Sequence, residues 1–383
     1  PEGWLKKQLT IQANGLAGNL DKIWPDVKDS KWIGGDREGW ERVPYWLDGF
    51  VPLAYLLERE DMIATAKKYI DAIVSKQQSD GWICPCKKNE RAKYDTWALQ
   101  LLGKTLKVYY ECSGDERIPD VIYKAFRNYY DLLSIGEIKL FGWAKFRWFE
   151  SFITLNFLYK RYNEEWIVDL AKIIKKQGFD YNTTTYNWIK PSHKWQMITH
   201  IVNMTMMLKS EAVSHDLLGK EYTDNAEKLR TILDKYNGTA FESFTGDEVL
   251  SGIDPTKGTE LCAVVEQMYS YEEIFAHTGE NKWAERLEVL AFNALPASIS
   301  DDMWTHQYDQ MSNQIACIKF PQKPLFRTNN GYAKFMGGYS NAEYDALIEQ
   351  AKVSTDDAER LELYAKAEKL LLEESKGTKY QQI

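Results

Sequence analysis

No run in this sequence approaches the roughly 20 apolar residues that a membrane-crossing helix needs, so a membrane is not an expected partner. Positive charge is also short: 48 Lys and Arg stand against 56 Asp and Glu, a formal charge of −8. Binders of phosphate backbones usually carry a basic face, and nucleic acid is excluded on the same footing. Cysteines are sparse and odd in number (Cys84, Cys86, Cys112, Cys262 and Cys317), which fits free thiols rather than a disulfide framework. Cys84-Pro-Cys86 is too tight for a zinc knuckle and reads as structural. The chain has no phosphate loop, dinucleotide fingerprint or serine nucleophile elbow. The opening Pro1-Glu-Gly-Trp-Leu-Lys-Lys is no signal peptide and lacks Met. It reads as a chain cut from something longer, and leaves cytoplasm and periplasm both open.

Aromatics, by contrast, are plentiful, with 14 Trp and 23 Tyr. Flat rings with a polar edge suit sugar faces, and they equally fill large helical cores. A repeating unit then emerges: an apolar helix, a short polar turn, and a second amphipathic helix. Tyr55-Leu-Leu-Glu-Arg-Glu-Asp61 leads into a helix from Met62 to Gln77. Tyr109-Tyr-Glu-Cys-Ser-Gly-Asp115 leads into Val121 to Tyr130, Leu158-Tyr-Lys-Arg-Tyr-Asn163 into Trp166 to Lys175, and Phe275-Ala-His-Thr-Gly-Glu280 into Trp283 to Leu295. A weaker copy lies near Gly219 to Leu233. The period, roughly 50–60 residues, suits a helical hairpin plus a working loop, and strand signals are scarce. Long aromatic and glycine-rich loops favour a ring of hairpins over an open solenoid, because loops at one end of a ring converge on a cleft. The expected fold is therefore all-α, an (α/α)6-type toroid.

The text changes near Phe326-Arg-Thr-Asn-Asn-Gly331. Beyond Gly338 it reads as two helices, Asn341 to Val353 and Thr355 to Glu374, with Ser354-Thr-Asp-Asp357 as the cap between them. Tyr344, Leu347, Ile348 and Ala351 stripe the first, and Leu361, Tyr364, Ala365 and Leu371 the second. The expected division is a toroid over residues 1–330, incomplete at its C-terminus, and an appended helical hairpin over 331–383. A ring short of its last helices exposes apolar surface, so homo-oligomerisation is expected too.

Three segments could carry chemistry. In the first, a Gly- and Pro-punctuated loop bears Asp247, Glu248 and Asp254 and runs into a helix expected to begin at Thr259. Glu260 and Cys262 then sit in its first turn, where the helix dipole favours negative charge, and Glu266 shares the Cys262 face. Glu260 and Cys262 are either a dipole partner and a small core residue, or two ligands of a metal such as zinc. Glu248 is either a solvated loop acid or a proton donor. The second segment, Trp40-Glu-Arg-Val-Pro-Tyr-Trp-Leu-Asp-Gly49, packs Trp40, Arg42, Tyr45, Trp46 and Asp48 closely. Arg42 and Asp48 could bond sugar hydroxyls while Trp40, Tyr45 or Trp46 stacks, or an internal Arg–carboxylate pair could hold the loop. The third is His200 with Asn203 at i+3, a core histidine or a pair facing a ligand. Trp143 to Trp148 and Trp304-Thr-His-Gln-Tyr-Asp309 add aromatic and polar pairs of low specificity.

Taken together, the Trp40–Gly49 segment, Asp80-Gly-Trp-Ile83, His200-x-x-Asn203 and Gly258-Thr-Glu-Leu-Cys262 resemble the β-L-arabinofuranosidase family of glycoside hydrolases, family 127. So do Asn293-Ala-Leu and Tyr308-Asp-Gln-x-x-Asn-Gln314, and the resemblance covers about residues 1–330. It implies an (α/α)6 catalytic toroid acting on an oligosaccharide or glycan. It further implies a retaining mechanism in which a zinc-bound cysteine thiolate attacks the anomeric carbon while a Glu serves as acid and base. Glu260 and Cys262 match the family's Glu-x-Cys metal ligands, Glu248 matches the acid/base, and Trp40, Arg42, Tyr45, Trp46, Asp48, His200, Asn203 and Tyr308 fall among substrate-binding positions. The family's nucleophile and last ligand form an adjacent Cys-Cys pair further downstream, and this sequence has none. Cys317, in Asn313-Gln-Ile-Ala-Cys317, looks like a different family position. The competing expectation is a catalytically inactive carbohydrate-binding or vestigial toroid. The stretch from Gly338 through Leu372 is similar to the C-terminal helices of bacterial oligopeptide-binding proteins, and implies a fused or misjoined end.

Overall fold

Where the sequence repeats an apolar stripe, a polar turn and a second stripe, the chain turns back on itself. The computed structural model describes residues 1–192, 194–254, 257–311 and 342–375. After α1 (Gly3–Asn14) come four hairpins: α2 (Arg42–Leu56) with α3 (Glu60–Val74), α4 (Trp97–Ser113) with α5 (Arg117–Ser134), α6 (Glu150–Tyr162) with α7 (Glu165–Gln177), and a broken helix with its partner. That broken helix is α8 (Ile201–Met206) and α9 (Ser210–Ser214) joined by one 3-10 turn, and it pairs with α10 (Asn225–Asn237). The fifth hairpin is α11 (Leu261–Thr278) with α12 (Asn281–Val289), whose end winds on into a π turn at Leu290–Ala294.

In four of the five hairpins the polar turn stops the first helix by one device. Glu58, Gly114, Asn163 and Gly279 all take left-handed backbone just past a helix end, which closes the last carbonyls and reverses the chain. Gly and Asn accept that conformation at low cost, whereas Glu58 carries a penalty.

The first members of the hairpins line the inside of the ring and pack in order, α2 on α4, α4 on α6, α6 on α9, and α8 on α11. The hydroxyl of Tyr45 on α2 donates to Glu266 on α11 at 3.2 Å and links the two ends of this inner wall. Inner helices are enclosed on nearly all sides: every residue of α4 from Trp97 to Leu106 is buried. Outer helices keep one dry face, as in α5, where Ile118, Ile122, Ala125, Phe126, Tyr129 and Leu133 recur at helical spacing.

The ring's interior is charged. Lys209 and Glu150 are fully buried and paired, Lys209 also faces Glu266 at 3.8 Å, and Lys104 pairs with Asp48 at 2.8 Å. Both ammonium groups lie over the Tyr269 ring, at 4.1 Å for Lys104 and 4.8 Å for Lys209. Such ions survive burial only because they hold each other.

The appended hairpin, α13 (Ala342–Val353) and α14 (Asp357–Ser375), forms where expected. Its cap is Asp356, whose carboxylate accepts from the N–H groups of Ala358 and Glu359. Tyr344 and Ala351 are buried as striped, but Leu361 and Tyr364 are exposed. The junction at Phe326–Gly331, and Cys317 with Asn313 and Gln314, lie outside the described residues.

Candidate active site

The loop expected around Glu248 is a sheet of very short strands. β1 (Gly246–Asp247), β2 (Val249–Leu250), β3 (Thr259–Glu260) and β4 (Asp309–Gln310) lie in the order β2-β1-β3-β4. β1 runs antiparallel to β2 and parallel to β3, and β3 runs antiparallel to β4 with Glu260 opposite Asp309. His200 joins through an antiparallel bridge to Val249, and Ile201 N–H donates to the Glu248 carbonyl at 3.0 Å. Backbone pairing thus gathers four distant residues: His200 before α8, Glu248 in the β1–β2 turn, Glu260 at the end of β3, and Tyr308 just ahead of β4.

Their side chains meet. Tyr308 Oη lies 2.8 Å from Glu260 Oε1 and 3.1 Å from Glu248 Oε1. Trp195 Nε1 donates to Glu248 Oε2 at 3.1 Å, and His200 Nε2 faces the same oxygen at 3.7 Å. Ligand atoms of His200, Glu248 and Glu260 all lie within 4.8 Å of one another.

Glu260 is 2% exposed, and its Oε2 has no hydrogen-bond partner among the described residues. Burial pushes its carboxyl up to about 7, against the partial relief given by Tyr308 and Cys262. A hydroxyl has one hydrogen. The two short contacts of Tyr308 are therefore satisfied together when Glu260 is protonated and donates to Tyr308 Oη, which in turn donates to Glu248. Glu260, not Thr259, is the N-cap of α11, and its side chain makes no cap bond. Thr259 belongs to β3, which turns Glu260 into the cleft.

Cys262 has surface open to the cleft. The protein around it, with the Glu260 carboxyl alongside, still holds its thiol well above the usual range. Both environments suit a cation: an orphaned buried carboxylate oxygen, a thiol at its side, and a second carboxylate and an imidazole within reach. Among the described residues they supply fewer sulfurs than the resemblance implies, since Cys84, Cys86 and Cys112 lie in or against the packed core.

His200 Nδ1 accepts from the Asn203 N–H at 3.4 Å. That places the hydrogen on Nε2, turned toward Glu248. Asn203 is fully buried; its Oδ1 accepts from Arg147 Nε at 2.9 Å and its Nδ2 donates to Met197 O. Tyr45 receives Arg147 Nη1 at 3.3 Å and passes its own hydrogen to Glu266.

The remaining expectations in the second segment need correction. Arg42 to Asp48 are the first turns of α2, not a loop. Steps of 100° put Glu41, Tyr45 and Asp48 on one face and turn Arg42 and Trp46 away from it. Trp46 is 6% exposed, packs on Phe50 and Tyr69, and donates to the Ala17 carbonyl, so it is core. Arg42 lies over the Trp24 ring, Asp48 is held by Lys104, and Trp40 spends its N–H on the Asp95 carbonyl. Sequence reasoning missed Arg147 and Trp195, although Trp143 to Trp148 marked the place of the former.

A ring of helical hairpins whose loops bring acids, a tyrosine and indoles to one cleft has the build of a carbohydrate-active toroid. The chain belongs to the beta-L-arabinofuranosidase GH127 catalytic-domain family, whose profile matches residues 27–312. Among solved structures it is similar to a GH127 beta-arabinofuranosidase, at 14% identity and TM-score 0.57, with 80% of this chain and 54% of that one covered. A protein described as a glycoside hydrolase gives 15% identity, TM-score 0.60, and 84% and 55% coverage. A GH127 beta-L-arabinofuranosidase from Geobacillus stearothermophilus T6 gives 16%, 0.56, and 81% and 58%. The chain thus spans little more than half the length of these relatives. Comparison with curated proteins by sequence gave no match. The family match ends at residue 312, so the likeness of the tail to oligopeptide-binding proteins remains an expectation.

Proposed function

We propose that this toroid hydrolyses the glycosidic bond of a β-linked L-arabinofuranosyl unit with retention. The carrying observation is the close pair Glu248 and Glu260, bridged by Tyr308 and held in unequal environments. Retention follows from two successive displacements at one carbon, by the Cys262 sulfur and then by water.

Glu248 is the acid/base: in the zinc-loaded site, where Glu260 is a ligand and carries no proton, Glu248 enters protonated and gives that proton to the departing oxygen as the bond from that oxygen to the anomeric carbon breaks. Cys262 matches a metal ligand of the family rather than its nucleophile; being the exposed cysteine among the described residues, it takes the nucleophile's place, and its Sγ bonds to that carbon. Water, giving its proton to Glu248, then displaces the sulfur. Glu260 and Cys262 would hold zinc, which supplies the positive charge that ionises a thiol near neutral pH. Trp195, Tyr308 and His200 aim the Glu248 carboxylate.

A second reading makes Glu248 a ligand with His200 and Glu260, favoured by their mutual reach. The hydrogen on His200 Nε2 argues against it. Zinc analysis and hydrolysis of an aryl β-L-arabinofuranoside by Glu248→Gln separate the two. Full zinc with activity retained only on good leaving groups supports the acid role; lost zinc supports the ligand role. Sugar binding without turnover in the zinc-loaded wild type would instead leave a carbohydrate-binding toroid.

A further inference from the structure

We infer that Arg147 is a specificity residue of this cleft, offering one guanidinium nitrogen to a hydroxyl of a neutral sugar and leaving no room for an acidic one. The inference rests on the glycoside reading above and names the sugar class the site would accept.

Arg147 follows the short helix Gly142–Phe146 and is 5% exposed. Its guanidinium carbon lies 4.2 Å from the Trp143 ring centroid and 4.8 Å from that of Trp97, so two indoles lie against it. Nε is spent on Asn203 and Nη1 on Tyr45. Nη2 makes no hydrogen bond among the described residues, and no carboxylate there lies within ion-pair reach of the group. A cation buried to this degree without a direct counter-charge is costly. Fixing it so firmly, with donors left over, is what a ligand-binding arginine requires.

The group borders the cleft. Trp143 also meets the His200 ring at 5.2 Å and the Trp195 ring at 5.8 Å, and the charge of Arg147 is felt at the Glu260 carboxyl. The neighbouring charges select the ligand. Glu41 and Glu266 act on Arg147 electrostatically without touching it, and Glu248 and Glu260 stand across the cleft. A sugar carboxylate placed on Nη2 would add a further negative charge beside Glu41 and Glu266, which already act on Arg147, and would face Glu248 across the cleft; Glu260, protonated or holding zinc, adds nothing to that repulsion. A hydroxyl accepts the same hydrogen bond with no such repulsion, and can pass its own hydrogen to a carboxylate.

The test measures binding of L-arabinose and of D-galacturonate by tryptophan fluorescence, since Trp97 and Trp143 flank the group, alongside aryl β-L-arabinofuranoside kinetics. Wild type should bind arabinose and not galacturonate. Arg147→Met and Arg147→Lys should weaken arabinose about 10- to 100-fold, the range for one hydrogen bond to a charged group. Lysine does not rescue, because a point charge cannot keep the Asn203 and Tyr45 bonds while resting against both indoles. Tyr45→Phe removes the Nη1 anchor with little change in volume. It should raise KM several-fold with a smaller change in kcat, and it covers the case in which the Arg147 variants fail to fold. Arabinose binding unchanged in Tyr45→Phe and Arg147→Lys overturns the inference, as does wild-type preference for galacturonate or failure to bind either sugar. Hydrolysis with unaltered KM in those variants leaves the glycosidase reading standing without it. Arabinose binding that depends on Arg147, with no hydrolysis, does the reverse.

Discussion

Glu248→Gly should destroy the proposed activity while leaving the protein at least as stable. Glu248 is one residue between the paired positions Asp247 and Val249, with φ at +70°. Left-handed backbone costs a residue with a Cβ about 1–2 kcal/mol, and glycine escapes this at an entropic cost of about 0.5–1 kcal/mol. Losing the carboxylate takes one neighbour, at 3.7 Å, from the buried His200 Nε2 and leaves two other donors with alternatives. Tyr308 keeps its 2.8 Å contact to Glu260, and Trp195, 45% exposed, can turn its N–H to water. The balance is between zero and about 1.5 kcal/mol of added stability, a rise of up to a few degrees in Tm. Glu248→Ala loses the same acid and keeps the strained turn, so it should melt below the glycine variant. Catalysis should fall about 10²- to 10⁴-fold in both, the usual worth of a general acid/base. Thermal melts and aryl-glycoside kinetics on the three proteins decide it. A glycine variant less stable than the alanine variant would refute the strain argument, and undiminished turnover would refute the assignment.

Glu150→Ala strands the fully buried Lys209 and should cost about 3–5 kcal/mol by denaturant titration, whereas Glu150→Met combined with Lys209→Met should cost less than the single change. In protein stripped of metal by a chelator, the Glu260 carboxyl sits at about 7 against an ordinary 4.5. The folded state then binds this proton more tightly than the unfolded chain. Its contribution is complete below about pH 4.5 and is lost as pH rises toward 7, about 3 kcal/mol in all. Glu260→Gln should flatten that part of the stability–pH curve, and an unchanged slope would show that the carboxyl titrates normally. Trp46→Ala should lower stability by about 3–5 kcal/mol and leave arabinose affinity unchanged in the folded fraction, as a core residue would. A selective loss of affinity would return Trp46 to the site.

The hairpins were legible because each helix buries a face wide enough to show as a stripe, and because the turns Cys-Ser-Gly-Asp115, Tyr-Asn163 and His-Thr-Gly-Glu280 name their left-handed residue outright. Helix ends moved by a few residues, as for the stripe placed at Val121 to Tyr130, which is the middle of Arg117–Ser134. The small sheet stayed hidden for a physical reason: strands of two residues cannot display alternation. Thr259 was taken for a helix cap on the same account, since nothing local distinguishes a cap from a two-residue strand leading into a helix. Glu248, Glu260, Cys262, His200 and Tyr308 stand out in the sequence as residue types in context, and the structure brings His200, Glu248, Glu260 and Tyr308 together. The sharing of one hydroxyl by two carboxyls depends on Tyr308 arriving from 48 positions beyond Glu260. Arg42, Trp46 and Asp48 were misplaced because a cluster of polar and aromatic letters was taken for a loop. Counting turns along Arg42–Leu56 would have separated the face of Tyr45 from that of Trp46.

The closeness of Glu248 and Glu260 is set by main-chain pairing between segments distant in sequence, which side-chain substitutions around the cleft leave in place. Only a change in how the chain threads could pull the two acids apart. The proposed chemistry is thereby tied to completed folding, since a partly folded ring would hold the same residues with nothing to measure out the distance between them.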